Sequence, residues 1–249
     1  MVSLSMKARI RHILRSCGWE LRRLQHANVE EEVIKSLLRA TQPVAVLDVG
    51  ANVGQYAHLV RDTGYKGRIV SFEALPQVHA QLLEKAKEDP AWIVAPCGAL
   101  GSRAGSLEIN ISANTVSSSL LPMRRTHMEA APDSVYVGKA TVDLRRLDEL
   151  APALLPDTGA LFVKIDTQGY EKEVLEGATA LLPRTTAIQV ELSLVPLYEG
   201  APTLNEMVGL LEHLGYDLFG IVPGFKNQET GRLLQVDGFF ISKQADAGR

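Results

Sequence analysis

The run Val46-Leu47-Asp48-Val49-Gly50-Ala51-Asn52-Val53-Gly54 carries the strongest chemical signal in the chain, an apolar strand that breaks into a glycine turn and opens a helix. Ligands of open α/β sheets bind at such a junction, outside the carboxyl ends of the strands. Gly50 and Gly54 let the backbone turn tightly, Asn52 sits between them, and the amides of the helix start near Gly54 can meet a negative group. A dinucleotide site wants G-x-G-x-x-G, and here Asn52 stands where its second glycine would be. Asp48, two residues before Gly50, would repel a pyrophosphate and favour a cationic ligand such as the sulfonium or ammonium of S-adenosylmethionine. The charge decides against NAD. Glu73 ends the next strand nineteen residues after Gly54, close to the roughly 20-residue spacing at which a carboxylate accepts from both ribose hydroxyls. Ala74 follows it into the same pocket. Cys97 and Gly98, in Pro96-Cys97-Gly98-Ala99, come after the third strand, where small groups border an adenine; with no Cys-x-x-Cys and no histidine beside it, Cys97 reads as pocket wall and not as a nucleophile.

The same strand-to-turn-to-helix logic returns at Phe162-Val163-Lys164-Ile165-Asp166-Thr167-Gln168-Gly169-Tyr170-Glu171. Asp166 is expected beside Asp48 at the carboxyl edge, and Glu191 closes Ile188-Gln189-Val190-Glu191 on the same edge, so these two are the candidate catalytic carboxylates, with Asp166 also facing the cofactor. A lone acidic residue ending a strand is often only a helix cap, and it is the second carboxylate that raises the case. Asp166, Glu191 and Asp237 together could hold a magnesium ion against acceptor hydroxyls, a reading weighed and not favoured. The histidines show no H-x-H or H-E-x-x-H spacing, which disfavours zinc. His127 could take a proton if its loop folds over the site, although a lone loop histidine is more often surface decoration.

Positioning these groups takes an alternation of short apolar runs with amphipathic ones, the mark of βαβ units and a parallel sheet. Strands are expected near residues 44–49, 68–72, 92–96, 160–165, 186–191, 216–222 and 235–242, and helices near 55–63, 76–87, 170–178 and 204–214. Pro223–Arg232 contains Gly224, Asn227 and Gly231 and suits a hairpin, so the last strand should be antiparallel. Residues 105–144 form a lid-like insertion with a pair of edge strands, Ser106–Ile111 and Lys139–Leu144, and the hydroxyl-rich loop Thr115–Ser119. The expected division is an N-terminal helical segment over 1–42, with a second helix near Val29–Leu38, then the main domain over 43–243 and a disordered tail over 244–249. Within the first 25 residues an amphipathic helix carries Arg11, Arg15 and Arg22; docking on the domain or on a second copy of the chain, as in a homodimer, outweighs peripheral contact with an anionic membrane. The 249 residues are 46% hydrophobic and 22% charged with net charge −3, which fits one large globular domain and offers no basic surface for nucleic acid. Two cysteines make no disulfide framework, and without a signal peptide or an apolar run long enough to span a bilayer a cytoplasmic location is the expectation.

Taken together, these segments resemble the FkbM-family methyltransferases over roughly Val44 to Ser242. Besides the Leu47–Gly54 motif, the matching residues are Ser71-Phe72-Glu73, Lys164–Glu171 with Val174–Ala178, Val190-Glu191-Leu192 with Tyr198, and Gln235–Phe240. The Lys164–Ala178 segment is the specific part. Ala74 stands where many members have proline, and Gln168 where glutamate is frequent. The resemblance implies a Rossmann-like class I methyltransferase fold with a seven-stranded, mostly parallel sheet. It also implies S-adenosylmethionine-dependent O-methylation of a hydroxyl on a small molecule or glycan, a sugar or a polyketide-like product. A module that binds the cofactor without catalysis is the alternative reading, and an NAD-dependent oxidoreductase a weaker one.

Overall fold

The computed structural model describes residues 16–17 and 29–246. The amphipathic helix expected within the first 25 residues therefore lies outside the described residues, apart from that pair. Helix α1 (Val29–Thr41) is followed by β1 (Ala45–Val49), α2 (Gln55–Asp62), β2 (Arg68–Phe72), α3 (Pro76–Ala86), β3 (Trp92–Val94), β4 (Ala99–Leu100) and β5 (Gly105–Ser112). Then come α4 (Arg125–Ala130), β6 (Tyr136–Arg145), α5 (Leu147–Leu154), β7 (Leu161–Ile165), α6 (Glu171–Glu176), β8 (Thr185–Ser193), α7 (Leu204–His213), β9 (Tyr216–Pro223), β10 (Gln235–Ser242) and α8 (Lys243–Asp246). The main sheet has seven strands in the order β3-β2-β1-β7-β8-β10-β9. β10 inserts between β8 and β9 and runs antiparallel to both, as the hairpin linker requires.

β1 and β7 are buried along their whole length because helices cover both sheet faces. On one face Ile34 and Leu37 of α1, Ala57 and Val60 of α2 and Leu82 of α3 pack on Val46, Phe162, Ala187 and Phe239. On the other, Leu147 of α5, Val174 of α6 and Leu211 of α7 pack on Leu47, Val163 and Ile188. This three-layer arrangement is the expected Rossmann-like one, and strand order reverses between β1 and β7, the place where the ligand crevice opens.

Two expectations need correcting. The pair of strands read at residues 106–111 and 139–144 does not edge the main sheet; β5 and β6 form a separate three-stranded sheet, β4-β6-β5, because β4 offers Ala99 and Leu100 as a parallel partner for Leu144 and Arg145. The C-terminal tail is helical through Lys243–Asp246, where disorder was expected from residue 244. Two helices, α4 and α5, were not anticipated: one is six residues long and the other carries Pro152 inside it, so neither shows an uninterrupted helical period.

Gly54, the N-cap of α2, has φ +89 and gives its side-chain space to Trp92, whose ring would stand 2.4 Å from an added Cβ; Gly64 has φ +92 with nothing within 4 Å. The two positions share one backbone strain and differ in packing. Gly64→Ala should cost about 1 kcal/mol, the left-handed penalty alone, and Gly54→Ala a further ~1–3 kcal/mol for overpacking. Urea unfolding of both variants checks this, and equal midpoints would mean that the Trp92 contact is not tight.

Candidate active site

A cavity of about 370 Å³ opens over the carboxyl ends of β1, β2, β7 and β8, within the size range of small-molecule sites. Gly50, Asn52, Glu73, Ala74, Gly98, Asp166 and Glu191, all read from sequence as site residues, line it. The turn after β1 is fixed by two amides, since Gly50 and Ala51 both donate to the Phe72 carbonyl at 3.1 and 3.0 Å. Gly50 has φ +76, and a Cβ there would lie 1.8 Å from the backbone oxygen of Asp166, so only glycine lets the turn pass under the end of β7. The Asn52 and Leu75 amides donate to opposite oxygens of Glu73 at 2.9 and 2.8 Å. Burial nonetheless pushes the Glu73 carboxyl up, against those amide donors.

Three expected cofactor contacts do not line the cavity. Asp48 is fully buried below it, and the lysine side chain of β7 answers its charge: Lys164 Nζ lies 3.4 Å from Asp48 Oδ1, 3.4 Å from Asp166 Oδ2 and 3.2 Å from the Gly50 carbonyl. The reading in which Asp48 itself meets a cationic ligand is therefore corrected, because a carboxylate with no exposure needs a counter-ion at hand. Burial raises the Asp48 pKa while Lys164 and Ser71 pull it back; for Lys164 burial works downward, and Asp166 and Asp48 outweigh it and hold the ammonium charged. Gly54 lies behind the turn, against Trp92. Cys97 points its thiol at the Ala74 carbonyl, 3.4 Å away, and burial, then Glu73 and Asp143, push its pKa up, so it is no thiolate.

At the acidic end the residues missing from the sequence reading are amides. Gln168 donates from Nε2 to Asp166 Oδ1 at 2.7 Å and to Glu191 Oε2 at 2.9 Å, and Gln235 donates to that same Glu191 oxygen at 2.7 Å. The third carboxylate considered for magnesium, Asp237, faces the Gln189 amide at 3.3 Å, and among the described residues no three His, Cys, Asp or Glu are arranged to hold a metal ion. Gln168 is itself oriented by the Tyr198 hydroxyl, which donates to its Oε1 at 2.7 Å, and by Ser119, which donates to its backbone carbonyl at 2.7 Å. His127, expected at the surface, is 2% exposed on α4, with ring nitrogens 3.2 Å from Tyr198 Oη and 3.1 Å from Ser134 Oγ, and burial lowers its pKa. From the 115–119 loop, Thr115, Val116, Ser118 and Ser119 line the cavity, as a lid would. One signal could have exposed these partners: Lys164/Asp166 and Gln189/Glu191 are polar at period two in otherwise apolar strands, and so share one sheet face.

Burial also raises Glu171 from 4.5 to about 7, against the amides of Gly169 and Thr167 that it caps, and raises Asp237, beside Glu30 and Asp166, from 3.8 to about 7. Both hold a proton more tightly folded than unfolded. Their contribution to stability is full below the unfolded values and is lost as pH rises through about 7. Urea midpoints should therefore rise as pH falls from 8 to 5, by the equivalent of about 1–3 kcal/mol, and Glu171→Gln, which keeps the acceptor oxygen, should flatten that slope. A slope of opposite sign would refute the assignment.

The family model for the methyltransferase FkbM domain matches residues 48–218, more than half of the chain. The chain is 26% identical over 174 residues to the hexuronic acid methyltransferase AglP of Haloferax volcanii, covering 70% of this chain and 66% of that protein, just under two thirds of its length. It is 27% identical over 185 residues to the 2-O-methyltransferase NoeI of Sinorhizobium fredii, covering 72% and 74%. Among solved structures it is similar to the precorrin-6y C5,15-methyltransferase of Geobacter metallireducens at 16% identity and TM-score 0.46, covering 90% of this chain and 94% of that one. The glycine turn, Glu73 and the Lys164–Tyr170 segment that line the cavity all lie inside the matched span, and the chain belongs to the FkbM methyltransferase family.

Proposed function

We propose that this chain is an S-adenosylmethionine-dependent O-methyltransferase whose acceptor is a sugar hydroxyl. The observation that carries the reading is one cavity with Glu73 at one end and the Asp166–Gln168–Glu191 group at the other. The residues present fit the cofactor. Glu73 uses one lone pair on each oxygen for a backbone amide and keeps acceptor capacity for a ribose diol. Ala74, Leu75 and Gly98 give a small, apolar border for an adenine. When bound, S-adenosylmethionine supplies a methyl group already activated by its sulfonium.

What is left to the protein is to hold the acceptor oxygen in line and relieve it of its proton. Asp166 is placed for the proton: Lys164 and Gln168 each hold one of its oxygens, which fixes the carboxylate plane and leaves lone pairs toward the cavity. Glu191, with both amide donors on Oε2, keeps Oε1 for orienting a second hydroxyl. The sugar class is supported by the relatives, one named for hexuronic acid and one for 2-O-methylation, and by the mix of short hydroxyls in the Thr115–Ser119 loop.

Calorimetry should show S-adenosylmethionine binding that weakens at least about tenfold in Glu73→Ala, as expected for a lost charge-assisted pair of hydrogen bonds. Tighter binding of NAD would overturn the reading. With a sugar acceptor, Asp166→Asn should lower kcat by about 10²–10⁴-fold with little change in cofactor affinity; full turnover in that variant would remove Asp166 from the proton step.

A further inference from the structure

Gln168 stands between the cavity and the insertion with φ +56, in the left-handed region. A residue with a side chain stays there only where its surroundings over-determine it. Here they do so at the main chain and at the side chain. The Ser119 hydroxyl holds its carbonyl, and Gly169, next along with φ +101, makes room for Tyr198, whose Cβ would stand 3.0 Å from an added Cβ. Tyr198 is itself fastened to the insertion through backbone. It pairs antiparallel with Met123, the Arg124 amide donates to the Leu197 carbonyl at 2.8 Å, and the Glu199 amide donates to the Pro122 carbonyl at 2.9 Å.

The hydrogen bonds through Gln168 have one polarity. Nε2 gives a hydrogen to Asp166 and another to Glu191, so Oε1 must accept, and the single hydrogen of the Tyr198 hydroxyl points there. The Tyr198 oxygen is then the acceptor for His127 Nε2, which must carry a ring hydrogen. Reversing the chain would turn Gln168 Oε1 onto two carboxylates. Tyr198 is 0% exposed and His127 2%, and neither lines the cavity, so neither touches a substrate there.

We infer that His127 and Tyr198 are positioning residues for the proton step, acting through Gln168 to hold its amide in the flip that aims N–H at Asp166 and Glu191. The inference rests on the methyltransferase reading for the step that this orientation serves.

The test combines carboxyl NMR titration of the full chain with kinetics, on Tyr198→Phe, His127→Leu, the double variant, and His127→Gln, which keeps an N–H donor. Burial, then Asp166, Glu171 and Asp237, raise the Glu191 pKa, and Lys164 lowers it. A freed Gln168 amide withdraws a donor that favours the charged form, so the Glu191 midpoint should move upward in Tyr198→Phe and in His127→Leu and stay in place in His127→Gln. With labelled S-adenosylmethionine and methyl glucoside, methyl glucosaminide or methyl glucuronide as acceptor, kcat should fall about tenfold or more in the same two variants with KM little changed. The double variant should be no slower than Tyr198→Phe alone, because both residues act through one amide. An unmoved Glu191 titration, or full turnover, in Tyr198→Phe overturns the inference while the methyltransferase reading stands. Absence of turnover by the unsubstituted chain on all three sugars overturns the sugar methyltransferase reading, and the inference with it. Calorimetry with S-adenosylhomocysteine reports folding; if His127→Leu loses that binding, Tyr198→Phe, which keeps the ring, decides.

Discussion

The ammonium of Lys164, buried in the middle of a β-sheet, is the constraint on which the rest of the site depends. Removing such a charge from water costs roughly several kcal/mol unless it is paired and hydrogen-bonded. The chain meets that cost from three directions at once: Asp48 from the neighbouring strand, Asp166 from just past the end of Lys164's own strand, and the carbonyl of Gly50 from the turn above. Each partner is thereby placed. The turn cannot lift away without uncovering the ammonium, and Asp166 cannot rotate out of the cavity without leaving it under-neutralised.

The ion pair is also the centre of a polar row across the sheet. Parallel registration sets Ser71 beside Asp48, Asp48 beside Lys164 and Lys164 beside Gln189. The Ser71 hydroxyl donates to Asp48 at 3.2 Å and receives the Trp92 indole at 2.9 Å, so the row is tied into the ring that fills the space at Gly54. Phe239, opposite Gln189, ends the row, and below it the same face is apolar, with Val46, Phe162 and Ala187 under α1 and α2. The face therefore changes from core to site along the strands, while alternation turns Leu47, Val163 and Ile188 to the apolar core on the opposite face.

Amide side chains solve the second problem, the crowding of carboxylates at the carboxyl edge. Gln168, Gln189 and Gln235 stand between Asp166, Glu191, Asp237 and Glu30, each giving N–H donors where direct carboxylate contact would be repulsive. An amide can do this only if its oxygen is turned away, and for Gln168 that orientation comes from Tyr198, backed by His127 on the insertion. The insertion is thus more than a cover. It reaches Gln168 through Ser119 at the main chain and through His127 and Tyr198 at the side chain, joining the insertion to Asp166 and Glu191.

Much of this was legible in the residues themselves. Strand and helix positions, the antiparallel last strand, the glycine turn and the carboxylates ending strands are encoded locally, in apolar period, in φ-permissive glycines and in spacing along the chain. Short-range steric rules read such features one segment at a time. The partnership of Asp48 with Lys164 joins residues 116 positions apart, and the separate β4-β6-β5 sheet and the burial of His127 likewise join segments distant in sequence. Only tertiary structure decided these, because a charge's meaning depends on what lies within a few ångströms of it once water is gone. Asp48 read as a ligand for a cation in either description; the fold supplied the cation from within.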